Sequence, residues 1–140
     1  VAMTEAVATV YQVNIAGVPD ADLSANARSH WAVKARKVKA LREFAGWQAR
    51  EHAPPEPISG PVTVRASIGW PKGRKRQDPT NVEHCLKAVI DGLTDAGFWA
   101  DDRLVTIARP IVQRTWGEWG DAAGWQYPGG VISLEIEVNQ

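Results

Sequence analysis

One hundred and forty residues, 44% of them hydrophobic and seven of them Trp, suffice for one domain with a buried core. A formal net charge of zero, sixteen cations against sixteen carboxylates, argues against a uniformly basic nucleic-acid binder, and a single Cys (Cys85) excludes an internal disulfide. No apolar run approaches the roughly 20 residues of a membrane span, no Cys/His cluster has zinc-ligand spacing, and residues 1–10 lack the basic start and long apolar stretch of a signal peptide, so the expectation is a cytoplasmic protein.

In chain order, Val7, Thr9, Tyr11, Val13 and Ile15 alternate with Ala8, Val10, Gln12 and Asn14, the period of a strand. A polar loop over 17–30 leads to a helix over about 31–52, whose Trp31, Ala35, Val38, Leu41, Ala45 and Trp47 recur at roughly helical spacing. The four prolines of APPEPISGP end it. Val62, Val64, Ala66 and Ile68 then mark a second strand. A basic loop over 72–77 precedes a second helix over about 79–96, with Gly97 as its C′ residue. A third strand is expected over 104–116, with an edge or bulge at Pro110, which has no N–H to donate. The Gly/Trp-rich segment 117–130 reads as a long loop that is mobile or faces a ligand, its Trp116, Trp119 and Trp125 partly core or dimer interface. Ile132, Leu134, Ile136 and Val138 alternate with Ser133, Glu135 and Glu137 in a last strand. The whole of 1–140 is expected to be a single α+β domain in the order β-α-β-α-β-β, a mixed sheet with two main helices packed on it.

Charge is segregated within the neutral total. Arg28, Lys34, Arg36, Lys37, Lys39 and Arg42 form one block, and Lys72, Arg74, Lys75 and Arg76 another, so ten of the sixteen cations occupy two short segments. The second block runs into Asp78, Glu83, Asp91, Asp95, Asp101 and Asp102, with Lys87 the one Lys or Arg among them. Cations that grip phosphates beside carboxylates that hold a hard ion are the requirements of metal-dependent phosphodiester chemistry. Two solvated basic faces are the plainer alternative.

On the second helix Val82, Leu86, Val89 and Leu93 form a core stripe, and Thr80, Glu83, Lys87, Asp91 and Thr94 gather opposite. Glu83, Lys87 and Asp91 at i, i+4, i+8 also fit an exposed ion-pair ladder. The helix start has two readings: Asp78 before Pro79 as N-cap, or Thr80-x-x-Glu83 as a capping box one register later. His30, His52 and His84 assemble no triad, Cys85 reads as a small packed residue, and no glycine loop for a nucleotide cofactor is present.

RKRQDPTNV and LKAVIDGLTDAGFWADDRLV, together covering 74–105, resemble the RusA-type Holliday junction resolvases, and SANARSHWAVKARKVKALRE is similar to the first helix region of phage members. The resemblance implies a Mg²⁺-dependent endodeoxyribonuclease, with Mn²⁺ as a possible substitute. Such an enzyme acts as a homodimer and resolves branched, four-way DNA by paired nicks in recombination and repair. It matches Lys87 to the family's catalytic lysine, Asp102 to the late aspartate, and Asp91 to the acid opening a D-x-L segment. In front of Lys87 the chain departs from the family's two aspartates one residue apart. Aligning Asp78 with the first puts Thr80 at the second; an ungapped alignment puts Asn81 and Glu83 there instead. Asp78 is preferred, because it directly follows the basic loop. The implied set is then Asp78, Lys87 and Asp102 for catalysis, Asp78, Asp91 and Asp102 for the metal, and Arg74, Lys75, Arg76, Lys34 and Lys37 for DNA. A domain of this fold that grips branched DNA without cutting it is the competing expectation.

Overall fold

The computed structural model describes residues 9–18, 31–123 and 125–139. Val7, the loop over 19–30, Arg28 and His30 lie outside the described residues. The elements are β1 (Val10–Ala16), α1 (Trp31–Ala49) running into a 3₁₀ turn (Arg50–His52), β2 (Val62–Gly69), α2 (Pro79–Asp95), a 3₁₀ turn (Asp102–Leu104), β3 (Val105–Ile107), β4 (Val112–Arg114), α3 (Trp116–Ala123) and β5 (Val131–Val138). This is the expected α+β class with a mixed sheet.

Strand β5 lies between β1 and β2 and is antiparallel to both, while β3 and β4 both run parallel to β2 along its other side. The expected third strand is therefore two short strands, interrupted around Pro110 at the edge of the sheet. The unit β2-α2-β3 is a crossover: α2 starts beyond the C-terminal end of β2 and returns to deliver Asp102 beside the start of β2, where Val62 pairs with Val105. One sheet face (Val13, Ile15, Val62, Val64, Ala66, Ile68, Ile132, Leu134, Ile136) packs on α2's buried Val82, Leu86, Val89 and Leu93. The period-two and period-3.6 stripes are thus the two halves of one core.

Helix α1 corrects the expected apolar face. Trp31 is 75%, Trp47 68% and Val38 42% exposed, whereas Ala45, Gly46 and Ala49 are buried. The reason is a backbone-to-backbone crossing with α2. A Cβ on Gly92 would lie 2.4 Å from the Arg42 carbonyl oxygen, and one on Gly46 would lie 2.8 Å from that of Gly92. Only small residues fit at such a crossing, so the large apolar groups point elsewhere. Gln48 ties the same helix to β1, accepting from the Ala16 N–H at 2.9 Å and donating to its carbonyl at 3.3 Å. Gly92→Ala should destabilise the protein by about 3 kcal/mol, the upper end for overpacking because backbone rather than a rotamer must yield. The urea midpoint measures this; an unchanged midpoint would mean the helices separate freely.

Segment 117–130 is likewise not a simple loop, because Trp116–Ala123 is helical. Thr115 and Glu118 hold its start: the Glu118 carboxylate accepts from the Thr115 N–H at 3.2 Å and from its hydroxyl at 2.9 Å. Trp119 is buried and stacks edge-to-face on Trp116 at 5.3 Å, while Trp125 is 95% exposed.

Candidate nuclease site

Asp78 is the N-cap of α2, accepting from the Thr80 N–H at 2.9 Å, with Pro79 at the first helical position. The Asp-Pro reading of the helix start therefore holds and the Thr80–Glu83 box does not form. At the other end Gly97 (φ +86°) closes a Schellman motif, the Gly97 N–H on the Thr94 carbonyl at 3.1 Å and the Phe98 N–H on that of Leu93 at 3.1 Å. Both ends of the helix that carries the candidate residues are thus fixed by local chemistry.

Along the polar face of α2 the expected Glu83–Lys87–Asp91 ladder does not close. Glu83 instead pairs with Arg109, from the turn between β3 and β4. The exposed Lys87 makes no ion pair among the described residues. Its ammonium stands between the Arg109–Glu83 pair on one side and Asp91 on the other, one helical turn away in each direction.

The 3₁₀ turn that begins at Asp102 packs on α2, which carries Asp91. Asp91 and Asp102 both act on the guanidinium of Arg42, a residue the sequence did not single out. Arg42 donates to Asp95 at 2.6 and 2.8 Å. Its pKa is held above the ordinary arginine value by that hydrogen bond and by the charge of Asp95, and more weakly by Asp91 and Asp102. Asp95 in turn lies below the usual carboxylate range, chiefly through the Arg42 hydrogen bond and against the effect of burial. The bond's contribution is therefore full above the ordinary carboxylate range and is lost below it, as pH falls through the lowered pKa of Asp95. The stability difference between the native chain and Asp95→Asn should shrink as pH is lowered from neutrality to about 2; for a half-exposed pair it starts at no more than about 1 kcal/mol. Urea unfolding of both proteins across that range checks it, and a constant difference would remove the linkage. Asp101 is also held below its ordinary range, first by the Arg103 side chain and then by the Arg103 N–H that it caps. That occupation leaves Asp102, not Asp101, as the more available carboxylate of the pair.

Asp78 does not join this group within one chain. It precedes Asp91 by thirteen residues of α2, about 20 Å along the axis at 1.5 Å per residue. One ion cannot bridge that span, and among the described residues no three His, Cys, Asp or Glu side chains gather as a metal site. The expected set of Asp78, Asp91 and Asp102 is therefore divided between the two ends of the helix. The Asp91–Asp102 end still suits a hard cation, because Mg²⁺ needs only one or two carboxylates besides waters and phosphate oxygens.

The basic loop sits at the Asp78 end. Arg74 stacks over Trp70 at 5.0 Å, Lys72 and Lys75 are exposed, and Arg76 is taken up by Glu118 and by the Gln113 carbonyl at 3.1 Å. Gln113, also missed in the sequence, fastens the loop: its side-chain oxygen accepts from Trp70 Nε1 at 2.9 Å and the Gln77 N–H at 2.8 Å, and its amide donates to the Gln77 carbonyl at 2.8 Å. Lys34 and Lys37 are half-buried on α1. Because Arg42 meets Asp95 while Gly46 meets Gly92, α1 runs antiparallel to α2, and Lys34 and Lys37 lie towards the end of α2 away from the basic loop. The two cationic segments thus bracket the polar face that carries Lys87.

The described residues thus form an α+β domain with cationic segments towards both ends of a helix that presents a lysine and carboxylates. Among known families, the Endodeoxyribonuclease RusA family matches residues 17–119, and the chain belongs to that family. An uncharacterized protein of Xylella fastidiosa (strain Temecula1) is 34% identical over 98 residues, covering 68% of this chain and 62% of that relative's own length. Among the described residues, no helix is long and apolar enough to cross a membrane.

Proposed function

We propose that this chain is a divalent-metal-dependent endonuclease that nicks four-way DNA junctions in pairs, as a homodimer, in recombination and repair. The observation that carries the reading is Lys87. It is an exposed ammonium with no ion pair among the described residues, on a face bracketed by cations, in a chain of the RusA family. Asp91 and Asp102 would hold the ion, Mg²⁺ or in its place Mn²⁺, which when bound supplies Lewis acidity to the scissile phosphate. Lys87 offsets the negative charge that grows on the phosphate or leaving oxygen. Arg74 and Lys75 grip the backbone at one end of α2, and Lys34 and Lys37 serve the other. Asp78, at the far end of the helix in its own chain, reaches such an ion only from a second copy. The two-fold symmetry of a dimer suits the near two-fold symmetry of a junction.

The test is nicking of a labelled four-way junction against linear duplex of the same sequence, with Mg²⁺, with EDTA, and with Asp102→Asn. Junction-selective cleavage that EDTA and Asp102→Asn abolish is the expected result. Tight binding without cleavage in Mg²⁺ or Mn²⁺ favours a second reading, a branched-DNA-binding protein, which draws support from Thr80 standing at the second family aspartate when Asp78 is aligned with the first, and from the absence of a three-carboxylate cluster among the described residues.

A further inference from the structure

The sheet face turned away from α1 and α2 carries a depression. Asn14 on β1, Ser133 on β5 and Ser67 on β2 are direct cross-strand neighbours and form one row of short polar side chains. The next row, Gln12, Glu135 and Arg65, is long and ionic. On the other side α3 stands over Gly69, where a Cβ would lie 2.7 Å from the Trp119 ring. The short floor, Trp119 of α3, Tyr127 and Arg114 line an open cavity of about 370 Å³. That is near the lower end of the ordinary ligand-pocket range, roughly 300–1,000 Å³.

Its polar groups are uncommitted. Neither serine hydroxyl has a hydrogen-bond partner among the described residues, and the Asn14 amide oxygen has only a 3.4 Å contact from Gln12. Trp119 is fixed in place, donating its indole N–H to the Trp70 carbonyl at 2.9 Å. Of the two charged groups at the mouth, Glu118 is neutralised by Arg76, whereas Arg114 has no ion pair among the described residues. The cavity therefore offers the half-buried Tyr127, a small part of the buried Trp119, neutral donors and acceptors between them, and one available cation at the rim. Those features suit a nucleobase with its phosphate outside. The Arg76–Glu118 pair also joins the rim to the basic loop, which brings the opening beside those cations.

We propose that this cavity receives one base extruded from beside the crossover of a bound junction, and so sets the sequence preference of cutting. The proposal rests on the junction reading above, and its test needs no cleavage. Junctions carrying 5-iodouracil at successive positions around the crossover are bound in Ca²⁺, their affinity is read by anisotropy, and the complexes are irradiated and mapped by peptide mass spectrometry. One position should give an adduct at Tyr127 or Trp119. Ser133→Leu and, independently, Ser67→Leu should each lower its yield, and junction affinity with it, by up to about tenfold, the loss expected for one base–aromatic stack, with the circular-dichroism spectrum unchanged. A bound junction with no adduct at either aromatic, or an adduct undiminished in both variants, overturns the pocket and leaves the junction reading standing. No binding to any junction overturns both. Equal labelling of Tyr127 by free 5-iodo-deoxyuridine monophosphate identifies a free-nucleotide site and overturns the extruded base.

Discussion

Lys87→Ala is expected to lower junction cleavage by about 10²–10³-fold while junction affinity stays within about twofold. The side chain is exposed, so its loss removes no core packing, and α2 is held by Asp78 at one end and the Gly97 motif at the other. Its neighbour Glu83 is occupied by Arg109, so the ammonium is not consumed by the nearest carboxylate on its N-terminal side. Removing it should therefore act on charge that develops during reaction and not on docking. Single-turnover cleavage and anisotropy on the same junction separate the two. Equal losses in binding and cleavage would make Lys87 an ordinary phosphate contact.

The second large effect concerns the division of the carboxylates. Asp78→Asn and Asp102→Asn should each be inactive alone, yet an equal mixture after subunit exchange should recover about a quarter of the active sites. Half of the dimers are then mixed, and each mixed dimer retains one site with both native aspartates. Its products should be unpaired nicks. Asn remains a good N-cap, so Asp78→Asn leaves the helix start intact and isolates the ligand role. No recovery on mixing would exclude a site shared between copies. Full activity of Asp78→Asn would leave Asp78 as a cap alone.

What could be read in the sequence divides along physical lines. Strands β2 and β5 and helix α2 were legible because each buries one face and exposes the other, which writes a period into the chain. The cap at Asp78 and the stop at Gly97 were legible because both are local. Helix α1 was placed correctly and its face in part, Leu41 and Ala45 meeting the core but not Trp31, Val38 or Trp47, since a Gly46–Gly92 crossing excludes the large residues that a periodicity argument follows. Helix α3 was missed because its glycines and tryptophans read as a loop; the signal that could have found it is Thr115-x-x-Glu118, a capping box that forms in the fold. The pairs Arg42–Asp95 and Arg109–Glu83 join residues 53 and 26 apart, and only the tertiary fold brings them together. The separation of Asp78 from Asp91, by contrast, was implicit in the expected helix over about 79–96, whose rise alone sets them about 20 Å apart.

The position of β5 has a consequence for the order of assembly. The strand made last among those described is the one that lies between β1 and β2, and its register joins Val10 to Glu137. Until it emerges, β1 has no partner in the sheet, and β2 has only the short parallel strands on its other side. The crossover unit of β2, α2 and β3 can form early from nearby segments, but the sheet closes only by a contact spanning most of the chain. Such closure is entropically slow. A nascent chain stalled before residue 131 would thus expose the β-edge of a nearly finished domain, a state in which strand addition from another chain competes with folding.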